Sequence, residues 1–367
     1  MKNIPECFDT APIVYAVGKN YQIMVPVNVE TLMWVEVDGE SYYDDVNGIL
    51  RSRCTTHRMT LPMEVLDKAG EYTVGYRIIN ERKPYFSDVS DEMYYTSSFR
   101  PVKGGKVRFY HIADAHNRVD EPVAAAAPYK DSLDFLVLNG DIPNHSGKIE
   151  YFTTIHRIAA EITEGEIPVI FSRGNHDMRG IYAESISEHT PVENGNSFFS
   201  FRLGNLWGVV LDCGEDKTDD HLEYGYTVAC HSFRRRQTEF LKKLIKNADS
   251  EYAEEGIQNR VVICHNPFTR QLTPPFDIEK DIYTEWADLL RENVRPQLMI
   301  CGHVHQCYID KVGCERDHLG QPCTLVAGSK PESEKWTGAL FTLKEGNCNV
   351  KFTDNFGEVI HDEDIIF

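Results

Sequence analysis

The sequence lacks a long apolar run. No stretch approaches the ~20 apolar residues that a membrane-spanning helix needs, so we expect no such helix. The opening segment carries acids and prolines, where a secretory signal peptide has a basic stretch followed by an apolar one. These two absences predict a cytoplasmic protein that has no membrane partner.

Basic residues are scarce relative to acidic ones. The 367 residues include 38 Lys and Arg against 57 Asp and Glu, which gives a net charge of −19. An acidic surface repels phosphate backbones at long range, so the composition argues against binding of long nucleic acid. An anionic substrate would need a strong local positive charge, such as a metal ion.

The cysteines lack the spacing of a structural zinc site or a disulfide framework. None of the ten forms a CxxC pair, and a chain of this length does not need disulfide bonds for stability. We therefore expect free thiols. With 41% hydrophobic residues the protein should be globular, and its length suits two domains.

The hydrophobic pattern changes near residue 103. From Ile13 to about Phe99, short apolar or alternating runs are separated by turn signals, which is typical of a small β-sandwich. The segment 100–106 has the composition of a linker. We predict an all-β domain over residues 1–103, fibronectin-III-like or immunoglobulin-like by analogy, and a second domain over residues 104–367.

The second domain alternates buried strands with helices. Compact apolar runs predict strands that are buried on both faces, and segments between several of them predict helices. The predicted strands are 107–112, 135–140, 167–172, 206–211, 260–265 and 298–303, and the predicted helices are 151–162, 232–246 and 283–293. The fold class is therefore α/β.

Polar side chains that can bind metals follow these predicted strands. They are Asp114-Ala-His116, Gly140-Asp141, Gly174-Asn175-His176-Asp177, His265, and Gly302-His303-Val304-His305. The carboxyl ends of parallel strands meet at one edge of a sheet, so we expect these groups to converge. Each group alone also occurs by chance in turns or at surfaces. Together they predict a metal site, because clustered unpaired polar groups would otherwise cost stability.

The order of these groups resembles the motif series of the calcineurin-like metallophosphoesterase superfamily. That series is D-x-H, G-D, G-N-H-D or G-N-H-E, a later His, and G-H-x-H, and all five occur in order within roughly residues 105–345. The resemblance implies a sandwich of two mixed sheets flanked by helices, here preceded by the small all-β sandwich. It also implies a site for two metal ions at the strand ends.

The resemblance divides the ligands between the two ions. One ion would be held by Asp114, His116 and His305, and the other by Asn175, His265 and His303, with Asp141 bridging them. Imidazole and carboxylate ligands independently suit divalent ions such as Mn, Fe, Zn, Ni or Co. A hydroxide between two such ions could attack phosphorus in line.

In this family, the histidine at the position of His176 protonates the leaving group or stabilises the phosphoryl oxygens. Many members support it with an aspartate at the position of Asn144, which can hydrogen-bond but carries no charge. We therefore predict that His176 acts more as a positioned donor than as a strongly basic group. The alternative is a histidine that only orients its neighbours.

The domain order is also similar to that of purple acid phosphatases. Two positions differ, because His116 stands where those proteins have glycine and Asn144 stands where they have a metal-binding tyrosine. We therefore expect no tyrosinate–iron colour. The N-terminal sandwich would pack against the second domain or, alternatively, bind a carbohydrate or protein partner.

Three arginines lie close in sequence to the ligand groups, namely Arg118, Arg173 and Arg270. Each could bind a phosphate through bidentate hydrogen bonds, and an ordinary salt bridge is the alternative for each. The segments 213–231 and 266–282 follow strand ends and are long enough to wall a pocket. They would set the choice of substrate.

The sequence thus predicts a phosphoesterase that hydrolyses a phosphomonoester or phosphodiester through a hydroxide bridging two metal ions. The partner would be a small phosphorylated substrate, with nucleotides among the candidates. A nuclease or pyrophosphatase with the same site, and a partner-binding scaffold without activity, are the alternatives. The oligomeric state stays open.

Overall fold

A computed structural model of the chain describes residues 3–367. Short strands make up most of its first hundred residues. They are β1 (Ile13–Val17), β2 (Asn20–Pro26), β3 (Thr31–Val37), β4 (Glu40–Tyr43), β5 (Asp45–Val46), β6 (Ile49–Leu50), β7 (Thr56–Pro62), β8 (Glu71–Glu81), β9 (Asp88–Val89) and β10 (Met93–Ser98).

The rest of the chain alternates strands and helices. Its strands are β11 (Val107–Ile112), β12 (Phe135–Asn139), β13 (Val169–Ser172), β14 (Phe199–Leu203), β15 (Leu206–Leu211), β16 (Asn259–Cys264), β17 (Leu298–Cys301), β18 (Cys307–Asp310), β19 (Thr324–Gly328), β20 (Lys330–Pro331), β21 (Trp336–Lys344), β22 (Asn347–Asp354) and β23 (Val359–Ile366). The α-helices within residues 3–367 are α1 (Met63–Ala69), α2 (Asp120–Ala126), α3 (Phe152–Thr163), α4 (Ile186–His189), α5 (Cys230–Lys246) and α6 (Lys280–Leu289). Within residues 3–367, no helix has the length and apolar character needed to cross a membrane.

Two mixed sheets form the centre of the molecule. The ten-stranded sheet has the order β23-β22-β21-β11-β12-β13-β1-β2-β7, with β20 beside β21, and the six-stranded sheet has the order β14-β15-β16-β17-β19-β18. The central strands are parallel, namely β11, β12, β13 and β1 in one sheet and β15, β16, β17 and β19 in the other. The predicted fold of two mixed sheets with helices is confirmed.

An apolar core lies between the two sheets, and a second core lies under two helices. Phe109 of the ten-stranded sheet and Ile263 of the six-stranded sheet belong to the first core. Trp207 and Trp286 belong to the second, where α6 covers the outer face of the six-stranded sheet. The parallel strands are therefore buried on both faces, as their apolar sequences require.

The N-terminal β region shares a sheet with the rest of the protein. Strand β1 pairs in parallel with β13, with Tyr15 opposite Val169. A five-stranded sheet, of order β10-β8-β3-β4 with β9 beside β8, contributes to the same core as β1, β2 and β7. The predicted N-terminal β-sandwich is present in this form, while the boundary at residue 103 stays a prediction.

The N-terminal region also contains a short helix that the strand pattern does not predict. Helix α1 follows Pro62 and precedes Gly70, which has a φ of 66° and whose N–H donates to the Leu66 carbonyl. Proline before the first turn and a left-handed glycine after the last are the usual helix boundaries. In the sequence, this glycine instead indicates a turn between two predicted strands.

Side chains also connect the N-terminal strands to the α/β part of the chain. Gln22 Nε2 donates to the Val192 carbonyl at 2.7 Å, and the Val192 N–H donates back to Gln22 Oε1 at 3.2 Å. The hydroxyl of Tyr72 donates to the Gly165 carbonyl at 3.0 Å. These bonds would be lost if the two regions were separated.

Residues 104–367 produced alone should therefore fold poorly. The truncation removes β1, which leaves backbone groups of β13 unpaired and uncovers part of the core. We expect aggregation, or a thermal midpoint lowered by at least about 10 °C, in circular dichroism melts. A soluble fragment that melts like the full chain would show that residue 103 separates independent domains.

Candidate metal centre

The side chains predicted to bind metals lie just beyond the carboxyl ends of parallel strands. In the ten-stranded sheet, β11, β12 and β13 are followed by Asp114 with His116, by Asp141 and by Asn175. In the six-stranded sheet, β16 and β17 are followed by His265 and by His303 with His305. Ligand atoms from both sheets lie close together, so the two sheets end at one common site.

The backbone at this site has an uncommon conformation. Positive φ angles occur at Asp114 (52°), His116 (47°), Asp141 (53°), His303 (69°) and His305 (50°). Residues other than glycine seldom adopt this left-handed region, and when they do they cluster at functional sites. The backbone is therefore strained at five of the proposed ligand positions.

Two glycines allow the ligand segments to approach each other. A Cβ atom on Gly140 would lie 2.6 Å from Cα of Gly174 and 2.7 Å from Nδ1 of His265. A Cβ atom on Gly174 would lie 2.2 Å from Oδ1 of Asp141. The G-D and G-N-H groups therefore need glycine for close contact, and Gly140 also needs it for a φ of +79°.

Asp114, His116 and His305 form the first group of potential ligands, with one ligand atom from each lying within 4.8 Å of the others. The Nε2 atoms of the two histidines face each other at 3.1 Å. Nε2 of His305 is 3.5 Å from Oδ1 of Asp114. Two ring nitrogens this close need a proton or a cation between them.

Asp141, His265 and His303 form the second group. Nδ1 of His265 donates to the Asn139 carbonyl at 2.6 Å, which leaves Nε2 facing Oδ2 of Asp141 at 3.1 Å. Asp141 also groups with His116 and His176, so its carboxylate lies between the two clusters. Such a position suits a bridging ligand.

The side chain of Asn175 completes the second group. Its amide nitrogen donates to Nδ1 of His303 at 3.0 Å and to Oδ2 of Asp141 at 3.3 Å, and its oxygen accepts from Nη2 of Arg179 at 3.0 Å. The amide thus lies next to two of the candidate ligands. Amide, imidazole and carboxylate groups all bind divalent ions. The donor set of both groups therefore fits a pair of divalent ions.

The electrostatics of the site also favour bound cations. Burial lowers the pKa of His265, but the negative charges of Asp141 and Asp114 outweigh burial and raise it. Burial raises the pKa of Asp141, but the charge and hydrogen bond of His265, together with the charges of His176 and His303, outweigh burial and lower it. The buried carboxylates thus hold a proton on His265 when no metal is bound, and metal ions would replace that proton.

Comparison with known proteins assigns the chain to a family. Residues 107–307, more than half of the chain, match the model of the family described as calcineurin-like phosphoesterase. The chain belongs to this family. It is accordingly a metal-dependent hydrolase that acts on phosphate esters, and the two ligand groups are its candidate metal sites.

Two solved structures share the fold of this phosphoesterase. A purple acid phosphatase, PPD1, from yellow lupin (Lupinus luteus) seeds is 12% identical, with 98% of this chain and 75% of that chain covered and a TM-score of 0.59. A structure of PhoD is 10% identical, with 100% and 90% covered and a TM-score of 0.57. At these identities the likeness concerns the fold alone. No curated protein gave a significant sequence match.

His176 lies beside the phosphoesterase centre on a short helical turn, His176–Met178. Its N–H donates to Oδ1 of Asp141 at 2.9 Å, and its Nδ1 donates to the main-chain carbonyl of Asn144 at 2.8 Å. Its Nε2 is 4.0 Å from Oδ2 of Asp141, and the side chain is 30% exposed. The backbone of Asn144, rather than its side chain, therefore orients this histidine.

The three arginines predicted to bind substrate lie in different surroundings. Arg173 forms an ion pair with Asp212, with 2.7 Å between Nε and Oδ2. Arg118 donates to the carbonyl of Glu332. Arg173 thus has the salt bridge that the sequence left as the alternative, whereas the partner of Arg118 is a main-chain carbonyl. Arg270 instead lines a recess that includes His303.

Asp177 holds the backbone of two ligand segments in place, a role that the sequence did not predict. Its Oδ2 accepts hydrogen bonds from the N–H groups of Gly174 at 2.6 Å and of Asp141 at 3.2 Å. Burial raises the pKa of Asp177 to about 8, and the charge of Asp141 adds to the rise. Its place as the last residue of the G-N-H-D group is the signal that could have indicated this role.

The segment 213–231 contributes further residues that the sequence analysis missed. Arg179 forms two hydrogen bonds of 2.8 Å with the buried carboxylate of Glu215, and its Nη1 is 3.4 Å from Nε2 of His176. Oδ2 of Asp216 is 3.9 Å from Nε2 of His303. The segment thus borders the centre, but only its length and position had pointed there.

Metal binding near neutral pH should release at least one proton per chain. His265 is protonated there because its pKa is raised, and it must lose the proton to bind a metal. Titration calorimetry in buffers of different ionisation enthalpy would measure the release, which should disappear as the pH rises above the raised pKa. The exposed His361 should not contribute, so His361→Gln should behave like the native protein. Binding enthalpies that are independent of the buffer would contradict this account.

Proposed function

We propose that this phosphoesterase uses two divalent metal ions to hydrolyse a small phosphomonoester or phosphodiester. The observation that supports the proposal is the convergence of two ligand groups on the shared carboxylate of Asp141. A single-metal site would not need a buried carboxylate with a cluster of histidines on each side. The net charge of −19 also favours a small substrate over long nucleic acid.

Each side chain of the two groups has a proposed role. Asp114, His116 and His305 would hold one ion, Asn175, His265 and His303 would hold the other, and Asp141 would contact both. When bound, the ions would supply a hydroxide nucleophile near neutral pH and positive charge for the phosphoryl oxygens.

The residues around the ligands would keep them in position. Oδ1 of Asp141 is fixed by the N–H of His176, so Oδ2 remains directed towards His265. Asp177 holds the backbone N–H groups of Gly174 and Asp141 with one carboxylate oxygen. The G-D and G-N-H segments are therefore tied together without any metal.

His176 would donate a proton to the leaving-group oxygen or a hydrogen bond to a phosphoryl oxygen. Because Nδ1 donates to the Asn144 carbonyl, Nε2 of the neutral ring carries no proton. Only the protonated ring can then donate from Nε2. This role requires His176 to be charged when the substrate is bound.

Metal dependence tests the proposed function directly. The protein should be stripped with a chelator, resupplied with Mn, Ni or Zn, and assayed on p-nitrophenyl phosphate and bis-p-nitrophenyl phosphate. We expect no hydrolysis after stripping and recovery after metal is added. The ratio of the two rates separates a monoesterase from a diesterase. Failure of both substrates with every metal would instead favour a scaffold without activity.

Replacement of His176 should affect substrates according to their leaving groups. His176→Ala should lower kcat on an alkyl phosphate by about 10²- to 10⁴-fold, because an alkoxide needs the proton. The loss on p-nitrophenyl phosphate should be much smaller, since that group leaves as a stable anion. Metal content should stay unchanged, and His361→Ala should have no effect. Equal losses on both substrates would argue against proton donation.

A further inference from the structure

A recess lies beside the proposed second metal position. Its walls include His303, Asn266 and Asp216, all close to the candidate ligands, and it extends to Phe276 and Arg270. It is formed largely by the segment 266–282. A substrate whose phosphoryl group lay at the metal centre could therefore place another part of itself in this recess.

Arg270 lines the recess and, like Arg118 but unlike Arg173 and Arg179, it has no acidic partner among the described residues. Arg173 pairs with Asp212, and Arg179 pairs with Glu215. In the part of the chain that the structure describes, no carboxylate lies within ion-pair distance of Arg270. Its Nη1 donates to the hydroxyl of Tyr308 at 3.0 Å, a neutral acceptor. A half-buried guanidinium in a protein of net charge −19 is thus left without a counter-ion.

Aromatic rings border Arg270. The ring centroid of Tyr308 lies 5.5 Å from Cζ of Arg270 and 4.3 Å from Cζ of Arg316. Arg316 is itself paired with Asp310 at 2.7 Å. Buried Phe268 is part of the recess wall, and apolar walls raise the strength of an ion pair formed there.

Asp216 also lines the recess, and its negative charge is partly offset by Lys217, which Glu223 shares. Its Oδ1 accepts from Nζ of Lys217 and from the hydroxyl of Tyr224, both at 2.9 Å. Nζ of Lys217 also lies 4.9 Å from the ring centroid of Phe276, another residue of the recess wall. Lys217 would therefore reduce the repulsion between Asp216 and an anion bound at Arg270.

We propose that the recess binds a second anionic group of the substrate through Arg270. This inference rests on the proposed function, because it places the reacting phosphoryl group at the metal centre. The substrate class is then a phosphoester whose organic part carries a carboxylate or another phosphate. Arg270 would contact that second group and would take no part in the chemical step.

Phosphonates of matched length provide the test. Methyl-, ethyl- and propylphosphonate are compared with phosphonoacetate, phosphonopropionate and phosphonobutyrate, which add a terminal carboxylate to the same chains. Titration calorimetry on the metal-loaded protein gives the Kd of each. At the best chain length we expect the carboxylate to tighten binding by about tenfold or more. Propylenediphosphonate shows whether a second phosphonate binds better than a carboxylate.

Variants of Arg270 test whether this residue binds the carboxylate. Arg270→Gln should abolish the gain in affinity that the carboxylate gives and leave the Kd of the simple phosphonates unchanged. Arg270→Lys should retain part of the gain in affinity. Arg316→Gln is the matched control, since it contacts the same tyrosine but pairs with Asp310, and it should keep the full gain.

The outcomes separate this inference from the proposed function. The second-anion site is wrong if simple phosphonates bind but no added carboxylate lowers the Kd. It is also wrong if the carboxylate still lowers the Kd in Arg270→Gln. Neither result would contradict the proposed metal centre. If none of the phosphonates binds in the presence of metal, the proposed function fails and this inference fails with it.

Discussion

The site depends on the buried carboxylate of Asp141, which lies between two groups of imidazoles where both sheets end. An unpaired charge in such a place would cost several kcal/mol. One oxygen is satisfied by the N–H of His176, and the other faces His265. The centre must therefore contain positive charge, as a proton on His265 or as metal ions.

The backbone at several of the ligand positions is strained. Each left-handed residue other than glycine costs about 1 kcal/mol or more, and Asp114 and Asp141 both adopt that conformation. The strands that precede them, β11 and β12, are almost entirely buried and cannot shift to relieve the strain. A rigid double sheet thus holds strained ends, and these ends carry the ligands.

Much of this arrangement could be predicted because it depends on local signals. The apolar runs 107–112 and 206–211 coincide with β11 and β15, and the polar groups after such runs are the ones that converge. Features that depend on distant contacts could not be predicted. Arg173 is two residues from Asn175 in sequence, yet it pairs with Asp212, which lies 39 residues away. The pairing of β1 with β13 likewise joins segments that no sequence pattern connects.

Crystals grown with Mn and measured at the Mn absorption edge would show whether two metal ions bind at this centre. We expect two anomalous peaks about 3.5–4 Å apart, one beside Asp114, His116 and His305 and the other beside Asn175, His265 and His303. Asp141 should contact both peaks. A single peak, or peaks away from these side chains, would contradict the two-metal centre.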